Sequence, residues 1–214
     1  HNALLKKLNT FPSLRQQIKS WLKSGVMDKG VFSDTDKGTP QGGVISPLLA
    51  NIALHGFEEH ITSFKVYGKR GTRPSITRYA DDFVILHESE EHIKFLRQKA
   101  DEWLKGMGLE LKPSKTHVCH TSEGFDFLGF NIRQYPVGAY RAASNPHGGI
   151  LGFKTIIKPT KEAVKRHLDK IGQIIDKHHN APQEALISRL NPVIRGWCNY
   201  YASVVSKETF SKCD

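Results

Sequence analysis

Residues 76–86 read ITRYADDFVIL, two runs of β-formers, Ile76–Tyr79 and Phe83–Leu86, that meet at Asp81 and Asp82. Such runs fold back on one another as a hairpin with the two acids at its bend. Adjacent carboxylates among apolar neighbours are costly to bury unless a cation lies beside them. A divalent metal removes that cost, and Mg²⁺ takes oxygen ligands, needing one or two carboxylates besides water and phosphate oxygens. Nucleotidyl transfer uses two such ions about 4 Å apart, one activating the attacking hydroxyl and one holding the leaving pyrophosphate. Asp-Asp is also ordinary turn chemistry, so the dipeptide by itself leaves a plain surface turn open.

Outward from this hairpin the chain alternates helix and strand. Towards the N-terminus, Leu14, Ile18, Trp21 and Leu22 fall on one helical face, with Thr10 or Ser13 as the cap around Pro12 and Gly25 as the stop. A second helix is expected from Pro47, with Leu48, Ile52 and Phe57 facing inward. The residues before it, Gly38–Pro47, pair Gly42 with Gly43, which allow close approach of backbone to a base or phosphate at a helix N-terminus. A plain loop-to-helix junction would use Gly and Pro as well. Residues Gly68–Pro74 are turn-rich and lead into the hairpin.

After the hairpin, Glu90–Met107 is helical, with Ile93, Leu96, Ala100, Trp103, Leu104 and Met107 on one stripe. Strand-like runs follow at Leu109–Leu111, Thr116–Cys119 and Phe125–Ile132. The pattern predicts an α+β domain over residues 1–157, an antiparallel sheet with helices on one face. A Gly-rich connection, His147–Gly149, then leads to helices alone. Thr160 is the expected N-cap of the first, whose face is Val164, Leu168, Ile171 and Ile175. Pro182 opens the next, Asn191–Pro192 is expected to break the chain, and Val193, Trp197, Tyr200 and Val204 form a last amphipathic run. Residues 158–214 thus read as a small three-helix domain.

Thirty-one Lys and Arg against twenty-one Asp and Glu leave a net charge of +10, which suits a polyanionic partner or simply a soluble basic surface. Lys161, Lys165, Arg166, Lys170 and Lys177 lie along one helix, apt for phosphates in a groove. Three scattered cysteines, Cys119, Cys198 and Cys213, argue against a disulfide framework and for a reducing compartment. No apolar run is long enough to cross a bilayer, and none with a cleavage site opens the chain, so a cytoplasmic or organellar rather than secreted protein is expected. His117, Cys119 and His120 match no closed zinc-site spacing, and His178–His179 reads as a helix C-terminus.

Five stretches resemble, in order, the motifs of group II intron-encoded reverse transcriptases. Gly38–Leu54, GTPQGGVISPLLANIAL, looks like motif B, and Arg78–Leu86, RYADDFVIL, looks like motif C. Pro113–Thr116, PSKT, is similar to the end of motif D, and Phe125–Phe130, FDFLGF, to motif E, the primer grip. Leu190–Tyr201, LNPVIRGWCNYY, resembles the thumb at which maturase function begins. Any one match could be chance; five in family order are specific.

The resemblance implies a polymerase palm over 1–157 and a helical thumb over 158–214. It implies metal binding by Asp81 and Asp82, with Asp81 the principal ligand of two Mg²⁺ ions. Gln41, Gly42, Gly43 and Tyr79 would lie against nucleotide and template, and Phe127, Leu128 and Gly129 would hold the primer terminus. Lys115 would approach the pyrophosphate as a proton donor. The residue-level alternatives are sheet core for Phe127 or Leu128, a solvated turn lysine for Lys115, and bundle core for Trp197, Tyr200 and Tyr201. The implied partners are RNA template, DNA primer, dNTP and intron RNA. His1 replaces an initiator Met and stands where the family's motif A segment ends, so a fragment is expected, with fingers and a third metal-binding Asp supplied from elsewhere and no polymerisation by itself. A rival of another class is an RNA-binding splicing cofactor with a silent polymerase site.

Overall fold

The computed structural model describes residues 1–28, 31–33, 44–65, 72–138, 140, 143–145 and 147–213, in two compact units, His1–Val118 and Cys119–Asp214. Both mix helices with small antiparallel sheets, an α+β architecture.

The first unit opens with helices α1 (Asn2–Leu8) and α2 (Pro12–Leu22) and a short ribbon of β1 (Val26–Asp28) and β2 (Val31–Ser33). The expected cap at Thr10 or Ser13 is not the one formed. Phe11 is the N-cap, without a side-chain bond, and Pro12 occupies the first helical position, where its missing N–H costs nothing. Ile18 and Leu22 are buried with Leu5 and Leu49, but Trp21 is exposed, because the packed stripe is narrower than the sequence suggested. Helix α3 (Ser46–Leu54) corrects the next expectation by one position: Leu49 and Leu54 are buried and Leu48 faces out. The helix stops at His55, and Gly56, at φ +82°, starts a separate helix α4 (Phe57–Ser63) that carries Phe57.

The core of this unit is Leu54, Phe57, Ile61, Leu96, Ala100 and Leu104, joined by Ile76, Phe83 and Ile85. These come from α3, α4, the hairpin β3 (Ser75–Tyr79) and β4 (Asp82–Leu86), and α5 (Glu90–Gly106). Ser89 caps α5 by accepting from His92 N–H, and two acids fill its first turn, which favours the positive helix end. The Ile93–Leu104 stripe packs inward as expected. Past α5, residues 109–112 and 116–120 are irregular, with one 3₁₀ turn at Pro113–Lys115, so the expected strands at Leu109–Leu111 and Thr116–Cys119 do not form. Pro113 lacks the N–H that a ladder across this stretch would use.

The second unit holds a three-stranded sheet of β5 (Phe125–Phe127), β6 (Phe130–Pro136) and β7 (Phe153–Pro159) in that order. The run expected as one strand, Phe125–Ile132, is two strands with a two-residue turn between them. Helices α6 (Lys161–Lys177), α7 (Gln183–Tyr201) and α8 (Lys207–Cys213) follow. Thr160 caps α6, accepting from Ala163 N–H at 3.1 Å, and His178 ends it. Asn191–Pro192 does not break the chain: α7 runs through Pro192. Packing on the far side of the proline holds the helix, where Trp197 contacts His167, Tyr201 and Phe210. The buried face of α6 centres on His167, leaving Leu168 and Ile175 at 42% and 45% exposure.

Candidate functional site

Asp81 and Asp82 sit on the bend of the β3–β4 hairpin. Register pairs Tyr79 with Asp82 and leaves Ala80 and Asp81 as the two-residue turn. Ala80 has φ +53°, an uncommon conformation for a residue with a Cβ, so the bend is held rather than relaxed. Both carboxylates are exposed, and so is Tyr79. They repel without being buried, which differs from the apolar enclosure that the flanking β-formers suggested. The reason is the hairpin's two-sidedness: Ile76, Phe83 and Ile85 face the core, while Tyr79 and Asp82 share the outer face. Among the described residues no third Asp, Glu, His or Cys joins the pair in a metal-holding group. The two side chains offer oxygen donors of the kind a hard divalent cation takes, but as a pair they leave most of its coordination to others.

One charged residue lies on the core-facing side of the same hairpin. Arg78 is cross-strand from Phe83, with its side chain 13% exposed. Its guanidinium donates to the Ala80 carbonyl at 2.9 Å, to Asn51 Oδ1 of α3 at 3.2 Å and to Glu58 Oε2 of α4 at 3.3 Å. Its Nε is buried and has no partner among the described residues. The motif reading assigns Arg78 no role, although the alternation Ile76–Arg78 already places a cation on the inward face.

The FDFLGF stretch forms the β5–β6 hairpin, with Leu128 at φ +51° and Gly129 at φ +82°. Positive φ at both central residues is the signature of a type I′ turn, whose twist matches that of the strands. Two consecutive tyrosines of α7 reach this turn. Tyr200 Oη donates to the Leu128 carbonyl at 3.0 Å, and Tyr201 Oη donates to the Gly129 carbonyl at 3.1 Å. The Thr160 N–H also donates to the Gly129 carbonyl, at 3.0 Å. Tyr200 stacks on Phe130, and Tyr201 is buried, its hydroxyl pushed above the usual phenol range by burial and by its neighbour Tyr200. Trp197 and Tyr201 are core contacts, while Tyr200 is half-exposed. Phe127 and Leu128 are partly buried.

Of the cationic set on α6, helical spacing puts Arg166, Lys170 and Lys177 on one stripe and Lys161 with Lys165 on another. Arg166 and Lys170 edge a groove of about 480 Å³ between α6 and α7, whose walls include His167, Pro192 and Trp197. His167 and Trp197 stack with ring centroids 4.3 Å apart. Burial, and then the nearby Lys170 charge, hold the His167 imidazole below its ordinary range. All five cations are exposed, as is Lys115 on its 3₁₀ turn. Gln41, Gly42 and Gly43 lie outside the described residues. Among those described, no helix is long and apolar enough to cross a membrane.

Comparison with known proteins agrees with the motif order. The reverse transcriptase (RNA-dependent DNA polymerase) family matches residues 1–132, and the group II intron maturase-specific domain matches residues 164–214. Protein YkfC of Escherichia coli (strain K12) is 33% identical over 138 residues, covering 52% of this chain and 36% of that protein. Group II intron-encoded protein LtrA of Lactococcus lactis subsp. cremoris is 24% identical over 258 residues, covering 88% of this chain and 43% of its own length. A 91 kDa protein in a cob intron of Schizosaccharomyces pombe is 23% identical, covering 92% and 32%. The chain spans less than half the length of each of these relatives. With its first 132 residues matched to one domain and its last 51 to the other, the chain belongs to the reverse transcriptase family, in the group II intron form that also carries a maturase domain.

Proposed function

We propose that this chain supplies the metal-binding turn, primer-holding hairpin and thumb of an RNA-directed DNA polymerase that copies intron RNA into DNA and assists splicing of that RNA. The observation that carries the reading is the pair of exposed carboxylates on a hairpin bend, within a chain of this family. On this reading residues 1–157 are palm and 158–214 thumb. Asp81 and Asp82 would hold Mg²⁺, which when bound activates the primer hydroxyl and steadies the leaving pyrophosphate.

Two carboxylates are too few for two ions, and no third group stands with them among the described residues. A further carboxylate from a motif A segment would complete the site, and without it the chain would not polymerise. Tyr79, exposed beside the pair, would meet the incoming nucleotide, as would Gln41, Gly42 and Gly43. Lys115 is free of the core and suits protonation of the leaving pyrophosphate. Phe127, Leu128 and Gly129 would meet the primer terminus, and the α6 cations would meet phosphates of primer–template or intron RNA.

The test mixes this chain with a separately made N-terminal half and follows Mg²⁺-dependent extension of a DNA primer on an RNA template. Extension only in the mixture, lost in Asp81→Ala, is the expected result. Extension by the chain alone would overturn the shared site. No extension together with tight, salt-sensitive binding of structured RNA would favour the splicing-cofactor reading.

A further inference from the structure

An arginine on the inward face of a two-stranded ribbon is costly. Its desolvation is offset only where its donors are used, and Arg78 uses them on three acceptors while its buried Nε has no partner among the described residues. Arg78 nevertheless sits there, and three acceptors from three different segments converge on it: Asn51 of α3, Glu58 of α4 and the Ala80 carbonyl. The last is the informative one. Ala80 is the residue at φ +53°, and its carbonyl carbon is bonded to the nitrogen of Asp81. Fixing that carbonyl fixes the peptide plane from which the Asp81 side chain departs.

We infer that Arg78 is a positioning residue for the polymerase site: it ties the turn that carries Asp81 to α3 and α4, so that the carboxylate has one direction rather than several. The inference rests on the reading of Asp81 as a metal ligand. It also gives a physical reason for the turn's uncommon backbone, since a planar fork with several donors can hold a carbonyl and a carboxylate at once. A lysine carries its donors on a single nitrogen and cannot reproduce the separate Nη1 and Nη2 positions from which these bonds are made. Helix α3 comes soon after Gly38–Gly43 in sequence, so the same guanidinium joins the helix that follows the proposed nucleotide-binding stretch to the metal-binding turn.

The experiment compares Arg78→Met, Arg78→Lys and Asp81→Ala in the mixture of this chain with its N-terminal half. Arg78→Met keeps an unbranched apolar stem against Phe83, so the hairpin is expected to fold. The expected result is a kcat lowered about tenfold or more and a half-saturating Mg²⁺ concentration raised several-fold, at nearly unchanged KM for primer–template, as misplacement of a reacting group produces. Arg78→Lys restores little of this. Unchanged kcat and Mg²⁺ dependence in Arg78→Met, while Asp81→Ala is dead, overturns the inference and leaves the polymerase reading standing. An active Asp81→Ala overturns both. Backbone relaxation of the isolated chain gives a readout independent of activity. Order parameters at Ala80–Asp82 are expected to fall in Arg78→Met from a rigid value towards about 0.6, and unchanged order there also overturns the inference.

Discussion

A methyl group at Gly129 would stand 2.8 Å from the Tyr201 hydroxyl, on a backbone at φ +82° that residues with a Cβ rarely adopt. Gly129→Ala is therefore expected to destabilise the protein by about 1–3 kcal/mol in urea unfolding. Tyr201→Phe removes the obstructing oxygen along with one hydrogen bond, so the double variant should lose less than the sum of the two. Strict additivity would show that the hydroxyl is not what the new methyl meets. His167 makes a pH prediction. Its folded-state affinity for a proton is depressed, by burial first and by Lys170 second, so the unfolded chain binds the proton more readily. The stability that depends on neutral His167 is present above the unfolded value near 6.5 and is lost as pH falls below it. The melting temperature should drop between pH 8 and 5 more steeply in the wild type than in His167→Phe, which keeps a ring against Trp197. Equal slopes would remove His167 from the account.

At the scale of elements, α7 is the unusual case, because Pro192 lies inside it and withholds the N–H that the Ser188 carbonyl would accept. Pro192→Ala should raise stability by about 1–3 kcal/mol in denaturant unfolding; a loss would mean that the ring's packing in the α6–α7 groove outweighs the missing bond. This helix also shows what a sequence reading captures. Thr160 lies one residue ahead of an amphipathic run, and its cap of α6 follows from local chemistry. The Asp81–Asp82 bend is legible for the same reason. Pro192 misleads because proline's local penalty is set against tertiary contacts of Trp197 and Tyr201 that no spacing rule reveals. Leu109–Leu111 fails as a strand because a strand needs a partner, and composition does not supply one. Arg78 escapes notice because alternation places it on the inward face but does not reveal the three acceptors that it meets there.

For the whole chain, the net charge of +10 sets the terms of any encounter with RNA. Replacing Arg166 and Lys170 together by Gln should weaken binding to structured RNA across sequences and lower the salt slope by about two, one for each lost phosphate contact. An unchanged slope in a filter-binding or anisotropy series would take the groove out of the interface. The order of five motif-like stretches is legible in the sequence at this scale. The tyrosine contacts to the β5–β6 turn are not, since each joins residues 72 apart in sequence. That separation has a consequence in time. A two-residue hairpin closes in about 1–10 μs, but a ribosome adding 5–20 residues per second needs about 4–14 s to travel from Gly129 to Tyr201. During synthesis the turn therefore exists for seconds before the two tyrosine hydroxyls can reach it. A nascent chain halted before Tyr200 would carry a formed but unlatched hairpin.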